Sequence, residues 1–186
     1  MQQDAHTQFS RTTTTLHWLI AITFISLLTT GIYMEQNEVY SLYGIHKSIG
    51  VTIFAFAVYR ILWRIKNGWP STLGAPSDAA HKLARLVHYL LIAGTVLMPL
   101  SGFVMSATGG YGVSVFGLEL VAFNPSPSNP MEALPINESL AFIGHIMHSF
   151  GGQVLILAVL LHIAGALKHH FVDKDGTLQR MLGNKV

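Results

Sequence analysis

From Ser139 to Leu167 the chain carries no Asp, Glu, Lys or Arg. As a helix this run is about 43 Å long, more than a hydrocarbon core of ~30 Å requires, and in lipid every backbone N–H and C=O must be paired inside the segment. A helix across a bilayer is therefore the expected structure. Within it stand His148 and His162, fourteen residues apart. At about 100° per residue that interval returns to within roughly 40° of the same face, and at 1.5 Å per residue it spans about 21 Å. One face thus presents two imidazoles at two depths, one toward each leaflet. Ionisable side chains inside a membrane are costly and mark function. Four residues after each histidine comes a small residue, Gly152 and Ala166, leaving a notch on that face in which a large flat ligand can lie. In a plain structural role the small residues would ease helix contact and the histidines would hydrogen-bond neighbours. The other segments decide between these readings.

Three more apolar runs are long enough to cross. Leu16 to Met34 has His17 and Trp18 at its start, and its length and that histidine argue for a retained helix rather than a cleaved signal. Tyr43 to Trp63 has His46 and Lys47 near its beginning and Arg60 near its end; Leu83 to Met105 carries Arg85 and His88 early and Pro99, a potential kink, late. The composition agrees: of 186 residues, 51% are hydrophobic and 11% charged, with a mean hydropathy of +0.45, against ~25% charged in a typical soluble domain. The expected fold is all-α, an integral membrane four-helix bundle. It forms a single domain, residues 1–186, with spans at about 16–34, 43–63, 83–105 and 139–167 in the lipid bilayer. No nucleic-acid partner is expected. Met1 to Thr14 reads as a short surface arm and Lys66 to Lys82 as a Pro/Gly/Ser linker. Residues 106–138 form a long Gly- and Pro-rich loop, too broken by proline for a helix throughout and of a length that is usually functional or disordered. Of eleven Lys and Arg, all except Lys47 fall in the amino-terminal arm, around the loop between spans two and three, or at the carboxyl end; the five glutamates fall in or beside the other two loops. The positive-inside rule then places both termini in the cytoplasm and loop 106–138 outside.

The chain has no cysteine, which excludes disulfides, thiolate haem ligation, Cys-ligated iron–sulfur clusters and covalent haem attachment through a Cys-x-x-Cys-His motif. Any haem would be held by histidine or methionine. Sorted by depth, His46 and His148 belong to an outer tier, and His17, His88 and His162 to an inner one. A six-coordinate haem takes two axial nitrogens from opposite sides, so His46 with His148 suffices outside, while inside His162 has two possible partners. Four residues beyond His17, His46, His148 and His162 stand Ala21, Gly50, Gly152 and Ala166; beyond His88 stands the bulky Ile92. That difference favours His17 over His88 without closing the alternative.

His145 lies roughly 100° off the shared face and reads as a polar residue near the outer surface, whereas His169, seven residues past His162, returns to within about 20° of that face and points beneath the inner tier. Arg60 and Arg64 end span two where haem propionates would emerge, a placement that membrane anchoring explains equally well. Lys47 is the one cation on the outer side, suited either to snorkelling toward headgroups or to attracting a small anion beside His46.

These residues together resemble the bacterial di-haem cytochrome b561 family, four-helix inner-membrane cytochromes that include superoxide oxidase. The segments that carry the resemblance are LHWL at His17, HKSIG at His46, RILWR from Arg60 to Arg64, the His88 to Pro99 spacing followed by PLSG, SVFG at Ser114, the His148 to His162 interval and ALKHHFVDKDGTLQRM at the end. The resemblance implies location in the bacterial inner membrane, two haem b groups ligated from spans one, two and four, and a ubiquinone site on the cytoplasmic side near His88 and His169. It further implies an oxidoreductase that passes electrons from a periplasmic donor, with superoxide the leading candidate and Lys47 beside its site, through the haems to ubiquinone. One alternative keeps the haems but makes the chain the anchor subunit of a larger dehydrogenase, with a soluble redox partner docking on loop 106–138. Another is a histidine-lined metal transporter, against which stands the lack of Asp and Glu inside the spans.

Overall fold

The computed structural model describes residue 4, residues 6–70, residue 73 and residues 77–186. Four long helices dominate it: α1 Arg11–Asn37, α2 Tyr43–Asn67, α3 Asp78–Thr108 and α4 Glu138–Lys168. All four are long and apolar enough to cross a membrane. A 3₁₀ turn, Tyr40–Leu42, joins α1 to α2; a β-hairpin, β1 Val113–Val115 and β2 Leu118–Val121, lies between α3 and α4; a π-helical turn, His169–Asp173, and a short α5, Thr177–Met181, finish the chain. Parts of the linker expected over 66–82 lie outside the described residues; α2 itself continues to Asn67.

Three of the four long helices start at a side-chain cap, and α2 instead follows directly on the 3₁₀ turn. Ser10 accepts from the Thr13 N–H, Ser77 from Ala80 and Asn137 from Leu140, each satisfying one of the donors a helix start leaves open. In α4 the first turn carries Glu138 and the last Lys168, both complementary to the helix dipole. α3 continues through Pro99 to Thr108.

Small residues set which helices touch. At Gly144 a Cβ would lie 2.8 Å from the Met105 backbone N, and at Gly94 it would collide with the Leu155 side chain, so α3 and α4 approach closely along their length. α2 lies against both α1 and α3, whereas α4 makes little direct backbone contact with α1 or α2. The space between those helices is bridged by side chains. At mid-height Ile20 and Phe24 of α1, Ile53 of α2 and Leu155 of α4 form a buried apolar plug, closed by Leu91 and Met98 of α3. Leu155 stands seven residues from both His148 and His162, about 10 Å along the helix from each. Around the outside Ile22, Phe56 and Leu157 are exposed, the apolar exterior that lipid contact requires.

The amino-terminal segment is only in part the surface arm its polarity suggests: His6, Thr7, Gln8 and Arg11 are exposed, other described residues are not, and residues 1–3 and 5 lie outside the described residues. Phe9, Ser10 and Thr13 are buried, and Asp4 accepts from the Arg64 guanidinium (2.7 Å), the Thr13 hydroxyl (2.9 Å) and the Ser10 N–H (2.8 Å). The Trp63 indole N–H donates to the Thr13 hydroxyl at 3.0 Å. The carboxyl tail closes over the same end. Arg180 donates to the His6 carbonyl and lies 4.2 Å from the Phe9 ring, Trp18 donates to the Met181 carbonyl and the Val186 N–H to the Thr7 carbonyl. Local composition cannot reveal partners 60 or 174 residues away.

Burial alone would raise the Asp4 carboxyl, but the hydrogen bonds from Ser10, Arg64 and Thr13 outweigh it and hold the group below the ordinary 3.8. A depressed folded value stabilises the fold fully above the unfolded value and loses that contribution as pH falls through the folded one. Asp4→Ala, which leaves Arg64 buried without its carboxylate, is expected to cost about 3 kcal/mol at pH 7. Thermal unfolding of both proteins should show that difference constant from pH 5 to 8 and shrinking below about pH 4. A gap that closes by pH 6 would assign the effect to another group.

Residues 106–138, expected as an irregular loop, are built on hydrogen bonds. β1 pairs antiparallel with β2, Pro125 bridges Ala133, and the Ile136 and Asn137 N–H groups both donate to the Thr108 carbonyl. Proline does exclude a helix here, while positive φ at Gly110, Gly112 and Gly117 supplies the turns. The hairpin is tied to α2: Ser48 Oγ accepts from the Phe116 N–H at 3.1 Å and shares its own hydrogen between the Gly44 and Ser114 carbonyls.

Candidate functional site

The interior holds two tiers of imidazole, one on each side of the apolar plug. Toward the hairpin, His46 of α2 faces His148 of α4 with ring centroids 6.4 Å apart. His148 Nδ1 is 3.0 Å from the Met98 carbonyl and 3.2 Å from Ser101 Oγ. A carbonyl can only accept, so Nδ1 carries the hydrogen and Nε2 keeps its lone pair for another partner. Gly102 makes this seat possible, because a Cβ there would lie 2.9 Å from His148 Cε1. His46 Nδ1 is buried without a hydrogen-bond partner among the described residues. One turn along α2, a Cβ on Gly50 would meet nothing within 4 Å, so the notch expected beside His46 is open; beside Gly152 the Met98 methyl stands 3.6 Å from the corresponding point.

Toward the termini three imidazoles gather: His17 of α1, His88 of α3 and His162 of α4. The His17 and His162 centroids are 6.1 Å apart, those of His88 and His162 only 5.3 Å. Arg60 Nη2 lies 3.2 Å from His17 Nδ1. A recess of about 70 Å³ opens beside this tier, lined by Arg60, Arg64, Trp69, His88, Ile92 and Thr95 among others. The sequence reading did not single out Trp69 or Thr95. An aromatic just past the charged end of α2 was the one available signal for Trp69.

The remaining expected site residues sit at the periphery. Lys47 does not reach outward; its ammonium donates to the Gly112 carbonyl at 3.0 Å, close to the Tyr111 carbonyl at 3.5 Å, beneath the start of the hairpin. Arg64, paired with Asp4, is committed to the terminal clasp. His169 keeps right-handed helical φ and ψ at the end of α4, and the π-helical turn begins with it; its Nδ1 meets Asp175 at 2.6 Å and Asp173 at 3.3 Å. Burial raises the Asp175 carboxyl, but bonds from Thr177 and His169 overcome this and keep it below 3.8. Lys168 holds Asp173 at 2.6 Å.

Two imidazoles bound on opposite sides of one first-row metal place each nitrogen ~2.0 Å from it and each ring centre ~1.1 Å further, about 6.2 Å in all. The His46–His148 and His17–His162 pairs match that separation, and the His88–His162 pair falls about 1 Å short. Among known protein families, the model for prokaryotic cytochrome b561 matches residues 8–184. The chain belongs to this family. Its relatives include cytochrome b561 homolog 2 of Escherichia coli (strain K12), 33% identical over 172 residues that cover 90% of this chain and 87% of the relative. Cytochrome b561 homolog 1 of the same organism is 28% identical over 182 residues, 94% and 97% of the two chains. A protein named probable superoxide oxidase CybB, of Yersinia pestis, is 26% identical over 184 residues, 97% and 98%. A cytochrome b561 is an electron-transfer membrane protein that binds b-type haem. The donor set here fits that group: paired imidazoles, one buried ring nitrogen without a partner at His46, and no thiolate anywhere in the chain.

Proposed function

We propose that this cytochrome b561 holds two haem b groups, one between His46 and His148 and one between His17 and His162, and carries electrons from a periplasmic donor to ubiquinone. The observation that carries this reading is the pair of imidazole separations, 6.4 and 6.1 Å, on either side of the apolar plug. Bound there, haem supplies one-electron chemistry; the chain supplies ligation, burial and orientation. The Met98 carbonyl fixes which His148 nitrogen is free and how the ring is turned, the support a ligating histidine ordinarily receives. Arg60 stands at the tier toward the termini, where its guanidinium suits a propionate. Purified protein is expected to show a split or broadened reduced α-band and a haem-to-polypeptide ratio near two. A colourless preparation from haem-replete cells would overturn the proposal.

The distribution of Lys and Arg supports an orientation with both termini cytoplasmic and the hairpin periplasmic. Superoxide is the donor best supported. The name of the Yersinia pestis relative points to it, and Lys47, half-buried beside His46, provides positive charge near the periplasmic haem. For ubiquinone, His88 lines the recess beside the cytoplasmic tier, and His169 with Asp175 forms an imidazole–carboxylate pair near the same end, able to pass protons to a reduced quinone. His169→Ala should leave both haem bands intact and slow reoxidation of the reduced haems by added ubiquinone by roughly tenfold or more. Unchanged kinetics at normal haem content would move the quinone elsewhere.

A further inference from the structure

The hairpin has a tip that its own turn geometry does not favour. Phe116 and Gly117 form a two-residue connection with φ of 49° and 91°. A turn with positive φ at both positions is relaxed with asparagine, aspartate or glycine first, and a bulky aromatic there is an outlier. The conformation is held from outside, by the Ser48 hydroxyl on the Phe116 N–H and by the paired strands. What it achieves is display: Phe116 is 65% and Leu118 66% exposed, with Tyr111 at 64% nearby in the chain. No charged residue occurs from Tyr111 to Leu118.

The depth of this tip identifies what it meets. Ser48 is the sixth residue of α2, so the tip hangs about 7.5 Å below the start of a helix that crosses the membrane. With the headgroup level taken at the start of α2, a soluble partner would reach Phe116 only by displacing headgroups around that helix. At that level the environment is the boundary between headgroups and acyl chains, where aromatic rings are favoured. We propose that the hairpin Val113–Val121 is seated in the lipid interface of its leaflet, with Phe116 and Leu118 inserted beside α2 as a lipid-contacting wedge. The wedge and the exposed apolar side chains of the outer α2 turns, Tyr43 and Ile45, then form one continuous lipid surface. Because Lys47 and Ser48 bind the same hairpin immediately after His46, lipid contact at the tip also steadies the cover over that histidine.

The absence of native cysteine makes the test clean. Nitroxide labels would be placed on Phe116→Cys, Leu118→Cys and, as an aqueous reference, Met131→Cys, whose native side chain is 90% exposed on the same loop. Each full-length, haem-loaded variant in phospholipid nanodiscs is examined by power-saturation electron paramagnetic resonance with oxygen and a water-soluble nickel chelate. The oxygen-to-nickel accessibility ratio is expected to be at least several-fold higher at positions 116 and 118 than at 131. A ratio equal to that at 131 would place the tip in water and overturn the proposal. Low access to both reagents would overturn it too, by showing the tip covered by protein, including a second copy of the chain. Leu118→Cys keeps Phe116 native, so a folding defect at position 116, read from haem content, does not remove the test.

Discussion

His148→Ala is expected to lower the haem-to-polypeptide ratio from near two to near one while the second haem keeps its band, and His162→Ala to do the converse. On the proposed ligation each histidine is one of two axial ligands, and its loss leaves an open or water-filled position in an apolar site. The tiers are separated by the plug of Ile20, Phe24, Ile53 and Leu155, with Leu155 about 10 Å along α4 from each histidine, so neither loss should spread to the other site. The two variants are read by the pyridine haemochrome assay and the reduced spectrum, with gel filtration to verify that the bundle remains folded. If either substitution alone strips both haems from a folded protein, the sites are not independent and the two-tier arrangement fails. Ser101→Ala is a milder companion. It removes one of two polar contacts at His148 Nδ1 but leaves the Met98 carbonyl in place, so both haems should be retained.

The second large effect separates His17 from His88. The His17 and His162 centroids are 6.1 Å apart and the His88 and His162 centroids 5.3 Å, against about 6.2 Å for two imidazoles across one metal. The His17 pair needs no adjustment to reach that separation, whereas the His88 pair needs its rings about 1 Å further apart, while α3 and α4 stand close at Gly94 and Gly144. His17→Ala should therefore empty the site at the terminal end, and His88→Ala should retain two haems and change only the behaviour of the adjoining recess. The opposite outcome, a haem lost with His88→Ala and kept with His17→Ala, would assign the ligand to α3.

Membrane class, four helices and the grouping of the histidines were legible in the sequence because they depend on local physics. A charge-free run of apolar residues can satisfy its backbone in lipid only as a helix, and fourteen residues on a helix return to one face at a fixed rise. His46 and His148 could therefore be grouped at one depth, and His17, His88 and His162 at the other, from the sequence alone. The choice of His17 over His88 rested on small residues four positions on, a signal that does not measure distance. The centroid separations add a distance that supports the same choice, and the His17→Ala and His88→Ala variants test it.

Whatever depended on residues distant in sequence was decided only by the tertiary structure. The amino-terminal segment is polar and reads as solvated, yet the Asp4 side chain is covered and pairs at 2.7 Å with Arg64, 60 residues later. Within proline-rich residues 106–138 the alternation of Val113-Ser114-Val115 and Leu118-Glu119-Leu120 around Phe116-Gly117 is a short strand signal, but only the structure shows the hairpin held against α2, through Ser48 on the Phe116 N–H and Lys47 on the Gly112 carbonyl. His169 continues α4 in helical conformation, but its partner was not legible: the π-helical turn that follows brings Asp175 within 2.6 Å of the imidazole. A helical period can be extrapolated from local sequence only while the same hydrogen-bond pattern continues, and tertiary contacts determine where it stops.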